Sequence, residues 1–272
     1  MEKDPFRIRG HQPDFDMVVA DIVSRSAATR ERLPMSEAAY GDGPSETLDI
    51  FVPPGTTGPL PVHMFIHGGY WRMFSKRDYS LVAETVAEAG AIAVIVDYAL
   101  MPGVRMASIV DQVGRAKQWV FDNIGAFGGD PSRLTVSGHS AGAQLAALLF
   151  RAGAAPSGIQ AALLLGGLYD LAPLQKSFLQ AEIGLTDEEV RRFTPLLQAY
   201  DAGTSVSVLV GSRETPPFHD QAGAFTKLLG RQGLDVSYRL IAGRHHMDSV
   251  RDLGDSSSLA GIELTKIVAC TS

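Results

Sequence analysis

Cysteine is almost missing from this chain. The single one, Cys270, sits at the C-terminal end and has no partner for an internal disulfide, so the fold rests on its core and the composition suits a reducing compartment. An excess of positive charge is missing too. The 24 Lys and Arg stand against 30 Asp and Glu, a formal net charge of −6, with the two signs interspersed. Lacking a basic stripe, the chain is expected to bind neither nucleic acid nor an anionic membrane. Its longest apolar runs, such as Ala91-Ile92-Ala93-Val94-Ile95-Val96, are strand length and far short of a bilayer span. The first residues, Met1-Glu2-Lys3-Asp4-Pro5, are charged and lead into no apolar segment, so no secretory signal and a soluble cytoplasmic protein are expected. Metal-ligand spacing is also lacking. His245-His246-Met247-Asp248 offers adjacent, diverging side chains with no second half to the site, so neither a metal nor another cofactor is expected.

What is present suits one α/β domain spanning 1–272: the chain has 272 residues and is 45% hydrophobic. Residues 14–33 carry apolar side chains at helical spacing, and Thr47–Val52 alternate before Pro53-Pro54-Gly55, as an early strand at a sheet edge would. Strands are then expected at 62–67, 91–97, 134–138, 161–166, 206–211 and 236–241. Helices are expected near 78–89, 108–124, 141–151, 218–232 and 257–269. Alternating strands and helices, with strands apolar almost throughout, predict a mostly parallel central sheet covered on both faces. The stretch 168–203 breaks the alternation, carries a further helix near 186–199, and is expected to act as a lid or pocket wall.

The strand-like Arg133–Ser137 runs through Gly138-His139-Ser140-Ala141-Gly142 into the helix-like Gln144–Phe150. A serine on such a sharp strand-to-helix turn takes a strained backbone conformation, and flanking small residues let neighbouring segments approach. The turn lifts the Ser140 hydroxyl above the sheet, beside the free N–H groups of the helix start. Upstream, the strand Pro61–Ile66 enters His67-Gly68-Gly69-Tyr70-Trp71. A glycine pair just past a strand end bares backbone N–H groups, as a tetrahedral oxyanion requires. Gly125-Ala126-Phe127-Gly128-Gly129-Asp130 is also glycine-rich, but it precedes a strand and reads as a connector, not a phosphate cradle.

A serine nucleophile needs a base, and the base needs an orienting carboxylate, here in the chain order Ser, acid, His. Downstream of Ser140 lie three histidines, His219, His245 and His246. His219 falls within an amphipathic helix pattern and reads as a surface residue. The other two follow the strand 236–241, and His246 is the expected base with His245 as the alternative. The acid is expected after the strand 206–211, at Glu214, with Asp170 and Asp220 as competitors. His67 is expected to organise its loop through hydrogen bonds, and His139 to orient a neighbouring one.

Together, His67-Gly68-Gly69-x-Trp71, Asp97-Tyr98-x-Leu100-x-Pro102, Phe127-Gly128-Gly129-Asp130-Pro131 and Gly138-His139-Ser140-Ala141-Gly142 resemble the α/β-hydrolase superfamily. The likeness is to its branch of hormone-sensitive-lipase-like esterases and arylformamidases, and it covers about residues 45–250. His67-Gly68-Gly69-Tyr70-Trp71, Gly166-Gly167-Leu168-Tyr169-Asp170-Leu171 and the segment from Glu214-Thr215-Pro216 through Phe218-His219 are similar to kynurenine formamidases. The resemblance implies the α/β-hydrolase fold and oxyanion donors at the N–H groups of Gly69, Tyr70 and Ala141, with Gly68 shaping the turn. The chain departs from the family pattern in two places. Tyr70 stands where related esterases often have a third glycine, and Glu214 where the family acid is usually Asp.

The expected chemistry is attack of Ser140 on a small-molecule amide or ester through an acyl-enzyme, with an N-formyl arylamide the leading substrate. A short-chain carboxylesterase is the alternative, and a non-catalytic ligand receptor on the same fold a remoter one. Trp71 and Tyr169 are the expected substrate-binding residues, and Tyr70 and Tyr79 also fall in loops near the nucleophile.

Overall fold

The computed structural model describes residues 4–56 and 58–269; Cys270 lies outside them. Among the described residues eight strands form one sheet: β1 (Met35–Ala39), β2 (Thr47–Phe51), β3 (Leu60–Ile66), β4 (Ile92–Val96), β5 (Gly129–His139), β6 (Ala161–Leu165), β7 (Ser205–Gly211) and β8 (Val236–Ile241). Their spatial order is β1-β2-β4-β3-β5-β6-β7-β8. β1 and β2 pair antiparallel, β2 pairs antiparallel with β4, and every other neighbouring pair is parallel. The expected early strand is therefore β2, one place in from the edge. β1 fills the edge itself, and nothing in the sequence pattern announced it.

The nearly continuous apolar strands are explained by burial on both faces. Val62, Met64 and Ile66 of β3, with Ile92, Val94 and Val96 of β4, enter one core, while Phe65, Ala93 and Ile95 enter the other. A two-residue period then requires an apolar side chain at every position. The main helices are α1 (Phe15–Arg32), α2 (Val82–Glu88), α3 (Met106–Asn123), α4 (Ala141–Leu149), α5 (Gln180–Ile183), α6 (Asp187–Phe193), α7 (Pro216–Arg231), α8 (His246–Arg251) and α9 (Leu259–Ala269). Side chains of α3, α4 and α7 pack into the first core, and those of α1, α2, α8 and α9 into the second.

Two expectations about elements change. The helix expected near 186–199 is the shorter α6, which a Thr186/Glu189 capping box opens and which ends at Thr194, before Pro195. The residue before a proline is driven out of the helical region, so the pattern could not continue. The segment holding His245 and His246 is also more than a loop. His245 is the N-cap of α8, its N–H donating to Asp248 Oδ1 at 2.9 Å, and His246 is the first helical residue.

Candidate active site

The C-terminal ends of the parallel strands bring the site together. Ile66, His139, Gly211 and Ile241 close β3, β5, β7 and β8, and the segments that follow carry Gly69, Ser140, Glu214 and, at the start of α8, His246.

Ser140 has φ 57° and ψ −119°, a region that non-glycine residues occupy only at a cost of order 1–3 kcal/mol. Its surroundings hold it there. The Ser140 N–H donates to Leu165 O at 2.9 Å, and its carbonyl accepts from the N–H groups of Ala143 and Gln144 at 3.0 and 3.2 Å. The flanking glycines are required by space: a Cβ on Gly142 would lie 2.1 Å from Ile66 O, and one on Gly138 2.2 Å from Gly142 O. Close approach of the turn to the end of β3 excludes a side chain at Gly142, and the tightness of the turn itself excludes one at Gly138.

His246 and Glu214 form a buried pair. Nδ1 of His246 lies 2.5 Å from Glu214 Oε2, and the side chains are 5% and 0% exposed. Glu214 Oε1 accepts the Gly211 N–H at 2.9 Å, so both carboxylate oxygens are engaged. Room for the pair comes from Gly166, where a Cβ would sit 3.1 Å from both Glu214 Oε1 and His246 Nδ1. With Nδ1 on the carboxylate, His246 keeps Nε2 for the cavity it shares with Ser140. Among the described residues no hydrogen bond joins Ser140 Oγ to His246. In unliganded hydrolases that contact is often long and tightens when substrate binds.

The competing residues are occupied elsewhere. Asp170 Oδ1 accepts the Ala172 N–H at 3.0 Å, Asp220 is exposed on α7, and His219 Nε2 meets Glu214 O at 3.1 Å. His139 braces His246: its Nε2 lies 3.1 Å from the His246 carbonyl, which fixes the proton on that nitrogen, and its ring sits 4.5 Å from the His246 ring. Burial, with His246 beside it, holds His139 well below the usual histidine range and therefore neutral. His67 is wholly buried, donates from Nδ1 to Gly68 O at 2.8 Å and stacks on Tyr98 with ring centroids 4.2 Å apart. The Tyr98 hydroxyl donates to His67 O at 2.9 Å. The loop is thereby fixed against the end of β4.

In that loop Gly69 has φ 105°, Tyr70 φ 52° and Trp71 φ 59°. Tyr70 thus adopts the left-handed backbone that a glycine would take freely at the same place. Among the described residues the N–H groups of Gly69 and Tyr70 donate to no protein acceptor. The N–H of Ala141, first residue of α4, has no carbonyl of its own helix to bond. These are the three donors named from sequence.

A cavity of about 330 Å³ opens over Ser140. Its walls are largely apolar, with Tyr70, Met73 and Phe74 from the loop after β3, Tyr79, Phe15 and Val19 of α1, Phe178 of the 168–203 stretch, and Met247. Trp71 and Tyr169 are not among them. Both are fully buried; Trp71 Nε1 donates to Gln144 Oε1 at 3.0 Å, and Tyr169 stacks on Phe225 at 4.3 Å. The expectation that these two contact substrate is corrected. The Trp71 indole is held in the core by Gln144 of α4, and Tyr70 and Tyr79 border the cavity instead.

The segment before α1, which no local periodicity marks, also borders the site. Arg7, Ile8 and Arg9 line the cavity. The segment is tied down by the Thr215 hydroxyl donating to Pro5 O at 2.7 Å, the Tyr70 hydroxyl to Phe6 O at 2.5 Å, and the Phe178 N–H to Asp4 Oδ2 at 2.6 Å. The buried Phe6 and Ile8, apolar residues in a polar stretch, were the signal for this. Among the described residues no three His, Cys, Asp or Glu side chains are grouped to hold a metal, and no helix is long and apolar enough to cross a membrane.

A serine on a strained turn after the fifth strand, a buried His–Glu pair carried by the segments after the seventh and eighth, and a mostly parallel central sheet are the arrangement of an α/β hydrolase. The model of the alpha/beta hydrolase fold family matches residues 63–248, and the chain belongs to that family. It is 29% identical to the kynurenine formamidase of Danio rerio, covering 86% of this chain and 82% of that one. It is 28% identical to the kynurenine formamidase of Drosophila melanogaster, over 84% and 79% of the two chains. The isoprenylcysteine alpha-carbonyl methylesterase of Arabidopsis thaliana is 31% identical, covering 77% of this chain and 55% of its own length. Among solved structures, a protein from Silicibacter sp. TM1040 superposes with a TM-score of 0.84 at 24% identity over 99% of both chains. An esterase of Pyrobaculum calidifontis gives 0.73 at 18% identity, over 94% and 92%. The protein is a hydrolase of this fold.

Proposed function

We propose that the protein is a serine hydrolase in which Ser140 is the nucleophile, His246 the base and Glu214 the orienting acid, acting on a small N-formyl arylamide. The reading rests above all on one arrangement. A serine is locked at positive φ at the mouth of the cavity that holds the free edge of a buried His–carboxylate pair.

In this mechanism His246 Nε2 takes the Ser140 proton as Oγ attacks the formyl carbon. The N–H groups of Gly69, Tyr70 and Ala141 receive the oxyanion, and their fixed orientation stabilises charge as it develops. Collapse of the tetrahedral intermediate expels the arylamine, protonated by His246, and leaves a formyl-enzyme. Water, deprotonated by His246, then attacks this ester, releasing formate and restoring Ser140. The formyl group needs little room at the nucleophile, and the apolar walls from Tyr70, Phe74, Tyr79 and Phe178 suit an aryl leaving group. Residues 168–203 act in this reading as a pocket wall within one domain, through Phe178 and Glu182.

Short-chain ester hydrolysis is the second reading, favoured by the named methylesterase among the relatives. The two are separated by measuring kcat/KM for formanilide and for phenyl acetate with the same enzyme. A formanilide value at or above the ester value supports the formamidase reading, and no detectable formanilide cleavage beside rapid ester cleavage replaces it with an esterase.

A further inference from the structure

The cavity holds more charge than a site for a neutral aryl amide needs. Among the described residues three guanidinium groups, of Arg7, Arg9 and Arg72, line it with two carboxylates, of Asp16 and Glu182, which leaves one positive charge. Two of the three arginines are paired: Arg9 with Asp16, and Arg72 Nε with Glu182 Oε2 at 3.1 Å. Arg7 is the remainder. Among the described residues it forms no ion pair, and its guanidinium lies 4.2 Å from the centroid of the Phe178 ring.

Its position is built by the residues on either side. Asp4 accepts the Phe6 N–H through Oδ1 at 2.9 Å and the Phe178 N–H through Oδ2 at 2.6 Å, while the Arg7 N–H donates to Asp4 O at 3.0 Å. Phe6 packs on Phe218, with centroids 6.1 Å apart. The segment is thus stitched to the loop of the acid, to the oxyanion loop through Tyr70, and to the wall segment through Phe178. An arginine stacked on an aromatic ring keeps its planar fork presented edge-on, with N–H donors arranged to meet a carboxylate in bidentate fashion.

We infer that Arg7 is a specificity-determining residue that binds an anionic group, a carboxylate, on the substrate's aryl portion, remote from the carbonyl that Ser140 attacks. This rests on the hydrolase reading above and adds to it the charge of the substrate. An apolar body against Phe178 and Phe74, with one carboxylate reaching Arg7 at the rim, satisfies both the lining and its single unbalanced charge.

The test uses two substrates that differ only in the carboxylate, formanilide and 3-formamidobenzoate, with wild-type protein, Arg7→Lys, Arg7→Gln and Arg7→Glu. The readout is the ratio of kcat/KM for the anionic to the neutral substrate. Both are measured on one preparation, so a partly unfolded variant does not move the ratio. Arg7 is exposed, and solvent screening limits the effect. The ratio should fall about five- to tenfold in Arg7→Gln, further in Arg7→Glu, and least in Arg7→Lys. A second arm needs no turnover: titration of Ser140→Ala with 3-phenylpropanoate and with 3-phenylpropanol, with and without Arg7→Gln. The acid should bind more tightly than the alcohol, and Arg7→Gln should remove the difference. If neither substrate is cleaved while the acid is still preferred through Arg7, the N-formyl arylamide reading fails and the anion site stands. If the ratio and the binding preference are unmoved in Arg7→Gln and Arg7→Glu, the anion site is overturned whatever the activity.

Discussion

Glu214 Oε2 and His246 Nδ1 lie 2.5 Å apart in a pair almost wholly removed from water, and the other carboxylate oxygen is held by the Gly211 N–H. The carboxylate therefore has one orientation, and the imidazole one useful tautomer. An additional methylene relative to aspartate is accommodated because Gly166 leaves the space beside the pair empty.

From this follows the effect of altering the acid. Glu214→Gln keeps the shape but substitutes an amide for the carboxylate, and should lower kcat by roughly 10²–10⁴-fold. Glu214→Asp is too short to keep both contacts and should lose less. Steady-state kinetics beside circular dichroism separate this from unfolding. Full activity in Glu214→Gln would remove Glu214 from the mechanism.

The elbow glycines should be intolerant for reasons of space. Gly142→Ala puts a methyl group 2.1 Å from Ile66 O, where backbone has to move; a loss of about 2–3 kcal/mol and most activity is expected. Gly114→Ala on α3 is the control, since a Cβ there meets nothing within 4 Å. That change should stabilise by about 0.5–1 kcal/mol, as expected for Gly to Ala inside a helix. Urea unfolding of both variants gives the comparison, and equal stability in the two would refute the close-approach argument.

Aromatic residues should divide by where they point. Trp71→Phe removes the bond to Gln144, whose amide also donates to Phe193 O at 2.8 Å, so the loop after β3 and the 168–203 stretch loosen together. All substrates should slow by a common factor. Phe178→Ala acts on the cavity itself and should change the aryl-to-alkyl ratio of kcat/KM. A selective loss in Trp71→Phe, with no change of ratio in Phe178→Ala, would restore the opposite assignment.

Acid should weaken the fold before the carboxylates titrate. His63 is fully buried between Thr135 Oγ1 at 2.8 Å and Ser137 Oγ at 2.6 Å, and burial lowers it from 6.5 to about 3. Below 6.5 the unfolded chain binds a proton that the folded chain refuses. Stability is thus fully present above 6.5 and is lost as pH falls toward 3. The slope is at most ~1.4 kcal/mol per pH unit for each such histidine, and His139, lowered well below the usual range, acts in the same direction. Urea unfolding between pH 7 and 5 should show this decline, and His63→Asn should make it shallower. A flat profile in the wild type would contradict the neutral buried state.

The sequence carried the parallel strands and the loops that converge at their ends, because each is written in local pattern: apolar runs, a glycine pair, a small-residue turn. β1, Met35-Ser36-Glu37-Ala38-Ala39, was not legible because it has almost no β-forming side chains and depends on pairing with β2. The segment at 4–12 was not legible because its partners are distant, as in Thr215 with Pro5 and Met247 with Gln12. Trp71 was placed correctly along the chain and wrongly in direction, since its indole is held by a partner 73 residues away, Gln144, which no local pattern shows.

The central claim is that Ser140 becomes covalently acylated, and it is tested most directly by its modification. The protein should be incubated with a fluorophosphonate in the presence of EDTA, and its intact mass and labelled peptide determined as activity decays. One adduct per chain on Ser140, forming in step with the loss of hydrolysis and absent from Ser140→Ala, is the predicted result. Labelling at another residue, or undiminished turnover by Ser140→Ala, would contradict the account.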